Sequence, residues 1–127
     1  RNLSLWGGFA LRAPRGAVYF AGDSGYAPLF REIGGRLGPF AVALLPIGAY
    51  RPRWFMSALH CDPEEAVRAH RDVRARRSLA MHFGCFPLAD DGYGEPAAEL
   101  EVARRNAGIT AEEFALPVPG RTLRFPL

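Results

Sequence analysis

The 127-residue sequence has no apolar run long enough to cross a lipid bilayer, which takes about 20 residues. It also lacks a signal peptide, because no basic segment followed by a long apolar core stands at its start. With neither an anchor nor a secretion signal in this chain, we expect a cytoplasmic or membrane-associated protein. The sequence does not begin with methionine, so we expect a processed chain or a piece of a longer protein.

Cysteine is scarce, and the only two residues, Cys61 and Cys85, form no Cys-x-x-Cys pair. Two cysteines are too few for a disulfide framework in a chain of this length, so we expect reduced, inert thiols. A long basic block is missing as well, since the net charge of +3 comes from 16 basic and 13 acidic residues. The densest basic stretch, residues 68–77, is typical of a solvated helix face. These features disfavour nucleic acid as a partner.

What is present predicts one domain comprising residues 1–127, because this length supports a single hydrophobic core. Strands are predicted at residues 3–11, 17–20, 40–47, 78–82 and 114–127. Helices are predicted at residues 28–37, 62–76 and 96–106, and residues 48–55 are predicted to form a loop. The continuous apolar run at 40–47 predicts a central strand that is covered on both faces. Strands alternating with helices predict an α/β fold with a mixed, partly parallel sheet.

The stretch Ala17-Val-Tyr-Phe-Ala-Gly-Asp-Ser-Gly25 predicts a short buried strand that ends next to a carboxylate. Gly22 and Gly25 allow the backbone to turn sharply or to approach another segment closely. Asp23 is therefore predicted at the carboxyl edge of the sheet, where ligands bind in open α/β folds. The alternative is that Asp23 is only a turn or helix-capping residue, since Asp is common in both roles.

Other polar residues are predicted to reach the same edge. His82 lies at a strand end, His60 precedes a helix, and Arg51 and Arg53 lie in the loop after the central strand. A carboxylate and an imidazole on adjacent strand ends suit a divalent metal such as zinc, although a tight zinc site needs three or four ligands. The alternatives are a backbone-bonded His82 and a His60 without a role. The two arginines could be surface charges, or could hold a phosphate through bidentate contacts.

Four motifs in this order resemble the C-terminal half of the metallo-β-lactamase superfamily. They are Tyr19-Phe-Ala-Gly-Asp-Ser-Gly-Tyr26, Leu44-Leu-Pro-Ile-Gly-Ala-Tyr50 with Pro52-Arg-Trp-Phe-Met56, His60-Cys-Asp-Pro-Glu-Glu-Ala-Val67 and Ala80-Met-His-Phe-Gly-Cys-Phe86. The most similar branch contains N-acyl-phosphatidylethanolamine-hydrolysing phospholipase D and bacterial relatives labelled outer-membrane protein RomA. The resemblance covers residues 5–114. It implies one half of a four-layer αββα sandwich, with about three helices on one face of a mixed sheet.

The resemblance also implies roles for individual residues. Asp23 matches the aspartate that bridges two zinc ions, and His82 matches a ligand of the second zinc. His60 matches a histidine near the substrate phosphate, so we take Asp23 and His60 as the catalytic candidates. The candidate substrate-binding residues are His60, Tyr50, Arg51 and Arg53.

The family's His-x-His-x-Asp-His motif belongs to an N-terminal half that this sequence does not contain. The implied parent is a zinc-dependent phosphodiesterase or phospholipase D-like enzyme that attacks a phosphate-containing small molecule or lipid with a metal-activated hydroxide. A metal-dependent lactonase and a non-catalytic binding or assembly module are the alternatives. We expect this chain alone to bind zinc weakly or not at all and to be inactive. We also expect it to form a homodimer, sheet face to sheet face, that replaces the missing half.

Overall fold

A computed structural model of the chain describes residues 7–126, which contain one five-stranded sheet. The strands are β1 Phe9–Ala13, β2 Gly16–Phe20, β3 Phe40–Pro46, β4 Ala75–Met81 and β5 Phe114–Ala115. The helices are α1 Leu29–Leu37, α2 Arg53–Met56, α3 Pro63–Asp72 and α4 Glu95–Ala107. The first predicted strand, residues 3–11, falls partly outside the described residues.

The strands follow one another across the sheet in chain order, from β1 to β5. β1 and β2 form an antiparallel hairpin, whereas β2, β3, β4 and β5 are parallel. The helices α1, α3 and α4 connect successive parallel strands. Right-handed crossovers in one direction place such helices on one face of a sheet, and α3 accordingly packs against β3, β4, α1 and α4. The predicted α/β fold, a mixed sheet with three helices on one face, is confirmed.

The hydrophobic core lies between the sheet and these three helices. Tyr19 of β2 packs on Phe30 of α1 and on Phe40 of β3, with ring centroids 6.4 and 5.3 Å apart. β3 is the most deeply buried strand of the sheet, because six of its seven residues are buried. The apolar run at 40–47 had predicted the central position of this strand correctly, although helices lie over only one of its faces within residues 7–126.

The opposite face of the sheet has no helix over it within residues 7–126. The register aligns Phe9 with Phe20, Phe20 with Leu44, and Leu44 with Leu79, so one apolar row crosses four strands on this face. Phe9 and Phe20 are 67% and 39% exposed, and Leu11, on the same face, is 64% exposed. We call this surface the open sheet face.

A local capping signal sets the start of α3. The Asp62 carboxylate accepts a hydrogen bond from the Glu65 amide at 2.8 Å, and the Asp62 amide donates to the Glu65 carboxylate at 3.1 Å. This is the predicted capping box, which satisfies two backbone N–H groups at the start of α3. The same reciprocal pair joins Thr110 and Glu113.

Three predicted boundaries were wrong. Residues 53–56 form the short helix α2 inside the predicted loop. Helix α3 ends at Asp72 and β4 already begins at Ala75, because Arg74 takes a left-handed backbone (φ 58°) that stops the helix. The last strand is only Phe114–Ala115, since Pro117 and Pro119 lack the N–H groups that would extend its ladder.

The contact of α1 with α3 depends on Gly34. A Cβ at Gly34 would lie 2.0 Å from the carbonyl oxygen of Asp72, whereas a Cβ at Gly35 would meet no atom within 4 Å. We therefore predict that Gly34→Ala lowers the free energy of unfolding by about 1–3 kcal/mol through overpacking. The matched variant Gly35→Ala should raise it by up to about 1 kcal/mol through helix propensity. Urea denaturation measures both, and equal effects of the two variants would contradict this packing.

Candidate metal centre

The carboxyl ends of the parallel strands share one edge of the sheet, and the predicted polar residues meet there. Asp23 follows the end of β2, His82 directly follows β4, and His60 lies between α2 and α3. The prediction that the strands before Asp23 and His82 are adjacent was wrong, because β3 lies between β2 and β4. The chain leaving β2 stays close to β3, since the Ala21 amide donates to the Leu44 carbonyl at 3.1 Å.

Two glycines shape the loop that carries Asp23. Gly22 has a φ of 71°, which favours glycine and turns the chain at the end of β2. A Cβ at Gly25 would lie 2.8 Å from the carbonyl oxygen of Ser57, so only glycine allows this close approach. The amide of Cys61 then donates to the carbonyl of Ser24 at 3.0 Å. The loop is thereby fixed against the segment that leads to His60.

Asp23 lies between two imidazoles. Its Oδ1 is 2.7 Å from Nδ1 of His60, and its Oδ2 is 3.4 Å from Nε2 of His82. The two rings stack with centroids 5.2 Å apart. The carboxylate is 54% exposed, whereas the side chains of His60 and His82 are 15% and 24% exposed. Asp23 does not cap α1, which begins at Leu29 without a side-chain cap.

This cluster fits a divalent cation. Each of the three residues offers one ligand atom, and these atoms lie within 4.8 Å of one another. The Nδ1 atom of His82 is buried without a hydrogen-bond partner among residues 7–126, whereas Nδ1 of His60 lies 2.7 Å from the Asp23 carboxylate. The ring nitrogens that face the Asp23 carboxylate, Nδ1 of His60 and Nε2 of His82, are the atoms that could bind the ion. Two imidazoles and a carboxylate are the donor types that catalytic zinc sites use, with a further position left open.

The backbone at His82 lies against Gly48, which the sequence had placed only in a predicted loop at residues 48–55. His82 has a left-handed backbone (φ 61°), and a Cβ at Gly48 would lie 2.1 Å from its carbonyl oxygen. Gly48 therefore lets the chain after β3 lie directly against the chain after β4. In the sequence, the only indication of the contact between Gly48 and His82 was the glycine itself, which directly follows the central strand.

The structure does not bring Tyr50 or Arg51 into the cluster. Arg51 pairs with Glu95 and with Glu99, whose Oε1 is 2.8 Å from Nη2 of Arg51. Tyr50 is 1% exposed, and burial together with the neighbouring Glu99 raises the pKa of its hydroxyl. Both side chains are thus committed to contacts with α4, and their predicted role in substrate binding stays a prediction.

Arg53 lies closer to the cluster but is also engaged. It forms ion pairs with Asp62 and Glu65 and donates a hydrogen bond to the carbonyl of His60. Cys61, next to His60, is buried, and burial raises the pKa of its thiol to about 12. The thiol is therefore protonated at neutral pH, as expected of an inert cysteine.

Comparisons with known proteins agree with this geometry. Residues 1–83 match the family model described as the beta-lactamase superfamily domain. The chain is 45% identical over 102 residues to N-acyl-phosphatidylethanolamine-hydrolyzing phospholipase D 1 from Caenorhabditis elegans, covering 79% of this chain and 29% of that protein. It is 39% identical over 84 residues to outer membrane protein RomA from Klebsiella pneumoniae, covering 66% of this chain and 62% of RomA.

Among solved structures, the metallo hydrolase Igni18 from Ignicoccus hospitalis superposes with a TM-score of 0.62 at 28% identity. The superposition covers 91% of this chain and 44% of that one. The chain belongs to the beta-lactamase superfamily, and its fold is that of the metal-dependent hydrolases of this family. It spans about a third of the length of the phospholipase relative.

Gly48→Ala tests the contact that seats His82. We predict that the added methyl group pushes the His82 carbonyl away, which lowers the free energy of unfolding by about 1–3 kcal/mol. The ring signals of His82 in NMR spectra should shift, while those of His70, which bonds to Ser78, should stay in place. Gly94→Ala is the matched control, because a Cβ there meets no atom within 4 Å. Unchanged His82 signals in Gly48→Ala would contradict the prediction.

Proposed function

We propose that this chain carries one side of the active site of a zinc-dependent hydrolase. The observation that supports this proposal is the Asp23–His60–His82 cluster at the carboxyl edge of the sheet. A zinc ion held there supplies Lewis-acid polarisation of the scissile group and an activated water nucleophile.

The chain's own residues have distinct tasks in this proposal. Asp23 presents one oxygen to His60 and the other to His82, so its carboxylate can hold one ion or bridge two. His82 serves as a terminal ligand. His60 either completes the ligand set or binds the substrate phosphate, as the family resemblance implies. An imidazole beside a carboxylate can also transfer a proton to a leaving group.

We propose a phosphodiester as the substrate of the whole protein. Support comes from the relative that is 45% identical, whose name describes a phospholipase D that hydrolyses N-acyl-phosphatidylethanolamine. The lactonase and the non-catalytic module have no specific support among the described residues.

Within residues 7–126, no helix is both long and apolar enough to cross a membrane.

The isolated chain is proposed to be incomplete as an enzyme. It covers 29% of the phospholipase relative and 44% of the superposed archaeal structure, so further ligands and substrate contacts would come from polypeptide outside these 127 residues. Three ligand atoms in one cluster can hold one ion, but less tightly than a closed four-ligand site. We therefore expect weak binding of a single zinc and no phosphodiesterase activity.

A zinc titration by isothermal calorimetry tests the proposal. We predict weak binding with at most one ion per chain. Asp23→Asn and His82→Ala should each weaken it by at least about tenfold, since even the loss of an outer-shell partner costs that much. The exposed Asp90→Asn is the control and should leave binding unchanged. Zinc that binds equally to all four proteins would refute the site, and a tightly bound, active dizinc chain would refute its incompleteness.

We further propose that the open sheet face is covered by a second copy of this chain when the rest of the protein is absent. The aligned row from Phe9 to Leu79 is apolar, and Phe9, Leu11 and Phe20 are exposed. Large exposed apolar patches favour association. The superposition covers only 44% of the solved relative, so more than half of that protein has no counterpart here that could cover the open sheet face.

Sedimentation velocity tests the dimer with a matched pair of leucines. Leu11 on the open sheet face and Leu29 on α1 are 64% and 57% exposed. We predict that the wild-type chain is a dimer at micromolar concentration and that Leu11→Glu is a monomer, because a buried unpaired carboxylate opposes association. Leu29→Glu should remain a dimer. A monomeric wild type, or a dimer that survives Leu11→Glu, would contradict the proposal.

A further inference from the structure

The guanidinium group of Arg53 contacts the backbone of a residue in the cluster. Its Nη1 donates to the carbonyl oxygen of His60 at 3.1 Å and to that of Tyr50 at 3.4 Å. Its Nη2 donates to Oε2 of Glu65 at 2.8 Å, and its Nε lies 3.4 Å from Oδ2 of Asp62. Arg53 thereby joins the end of the loop after β3 to the segment that enters α3.

The positive charge of Arg53 is balanced by carboxylates within the chain. Two carboxylates, those of Asp62 and Glu65, face one guanidinium group, and both are also members of the capping box that starts α3. A planar guanidinium has five N–H donors in a fixed fork, which suits several acceptors at once. In this arrangement Arg53 has its acceptors within the chain and does not need a substrate phosphate.

The His60 segment is held from two sides. Arg53 binds the carbonyl of His60, and the amide of the next residue, Cys61, donates to Ser24 at 3.0 Å. Neither contact uses the imidazole, which is left to approach Asp23 with Nδ1 2.7 Å from Oδ1. These two contacts hold the same peptide group, the one between His60 and Cys61, and the amide of His60 itself donates to the carbonyl of Met56 at 2.8 Å. The position of the ring therefore depends on a backbone that is bonded on both sides of the His60 Cα atom.

We infer that Arg53 is a positioning residue, which holds His60 beside Asp23 and His82 and does not bind substrate. The inference concerns the same cluster as the proposed function and rests on it for its biological meaning. The contact that it explains is the stacking of the two imidazoles, whose ring centroids are 5.2 Å apart.

Arg51 is the matched control. It carries the same charge two residues earlier, but it pairs with Glu95 and Glu99 of α4 and has no hydrogen bond to His60 among the described residues. Replacing either arginine by methionine removes the charge and the donors while keeping most of the aliphatic chain. A general effect of charge or stability would appear in both variants, whereas a positioning effect appears in one.

The readout is a pair of NOE cross-peaks measured on the metal-free 127-residue chain. The rings of His60 and His82 have centroids 5.2 Å apart, and those of His70 and Phe114, in the core, have centroids 5.7 Å apart. We expect Arg53→Met to lose the His60–His82 cross-peak and to keep the His70–Phe114 cross-peak. We expect Arg51→Met to keep both.

A His60–His82 cross-peak of wild-type intensity in Arg53→Met would overturn the inference, and so would its equal loss in Arg51→Met. If Arg53→Met loses both cross-peaks, Arg53→Lys decides, because lysine can pair with Glu65 but lacks the fork that also reaches His60. Loss of the His60–His82 contact alone in Arg53→Lys supports positioning. Retention of that contact, or loss of both, assigns Arg53 to general stability and overturns the inference.

Zinc titration of the same variants separates this inference from the proposed function. Arg53→Met should weaken zinc binding by about tenfold, the usual effect of disturbing a ligand's support, and Arg51→Met should leave it unchanged. If zinc binds equally to the wild type, Asp23→Asn and His82→Ala, the proposed site fails, while the NOE experiment still decides the role of Arg53.

Discussion

The carboxylate of Asp23 between the imidazoles of His60 and His82 is the interaction around which this edge of the molecule is built. Three separate segments meet there, and each is fixed by contacts of its backbone: Gly25 for Asp23, Arg53 for His60 and Gly48 for His82. The cluster brings one carboxylate and two imidazoles together, with one ligand atom of each within 4.8 Å of the others. In the proposed function, a divalent cation would bind these groups and give the site its chemistry.

The two faces of the sheet have different tasks. The helix face contains the core, and the strand ends that carry the cluster lie at its carboxyl edge. The open sheet face contains an aligned apolar row with no helix above it in the described residues. This division, with the partial coverage of longer relatives, is the basis of the proposal that the chain supplies one wall of a site and that more polypeptide supplies the other.

Local signals in the sequence were sufficient for much of the fold. The capping box at Asp62 and the apolar run at 40–47 depend on neighbouring residues alone, and both were predicted correctly. The position of Asp23 and His82 followed from the rule that parallel strands end at one edge. The partners of Arg51 and Arg53 could not be predicted, because a charged side chain chooses between solvent, substrate and distant carboxylates only when the chain has folded. The approach of Gly48 to His82 is likewise a long-range contact without a local pattern.

Anomalous X-ray scattering at the zinc edge, from crystals of the zinc-loaded chain, tests the central claim most directly. We predict an anomalous peak for a zinc ion that is bound by the Asp23 carboxylate and the His82 imidazole and lies beside His60. A peak held by other residues, or none at the carboxyl edge of the sheet, would contradict the claim that these side chains form a metal centre.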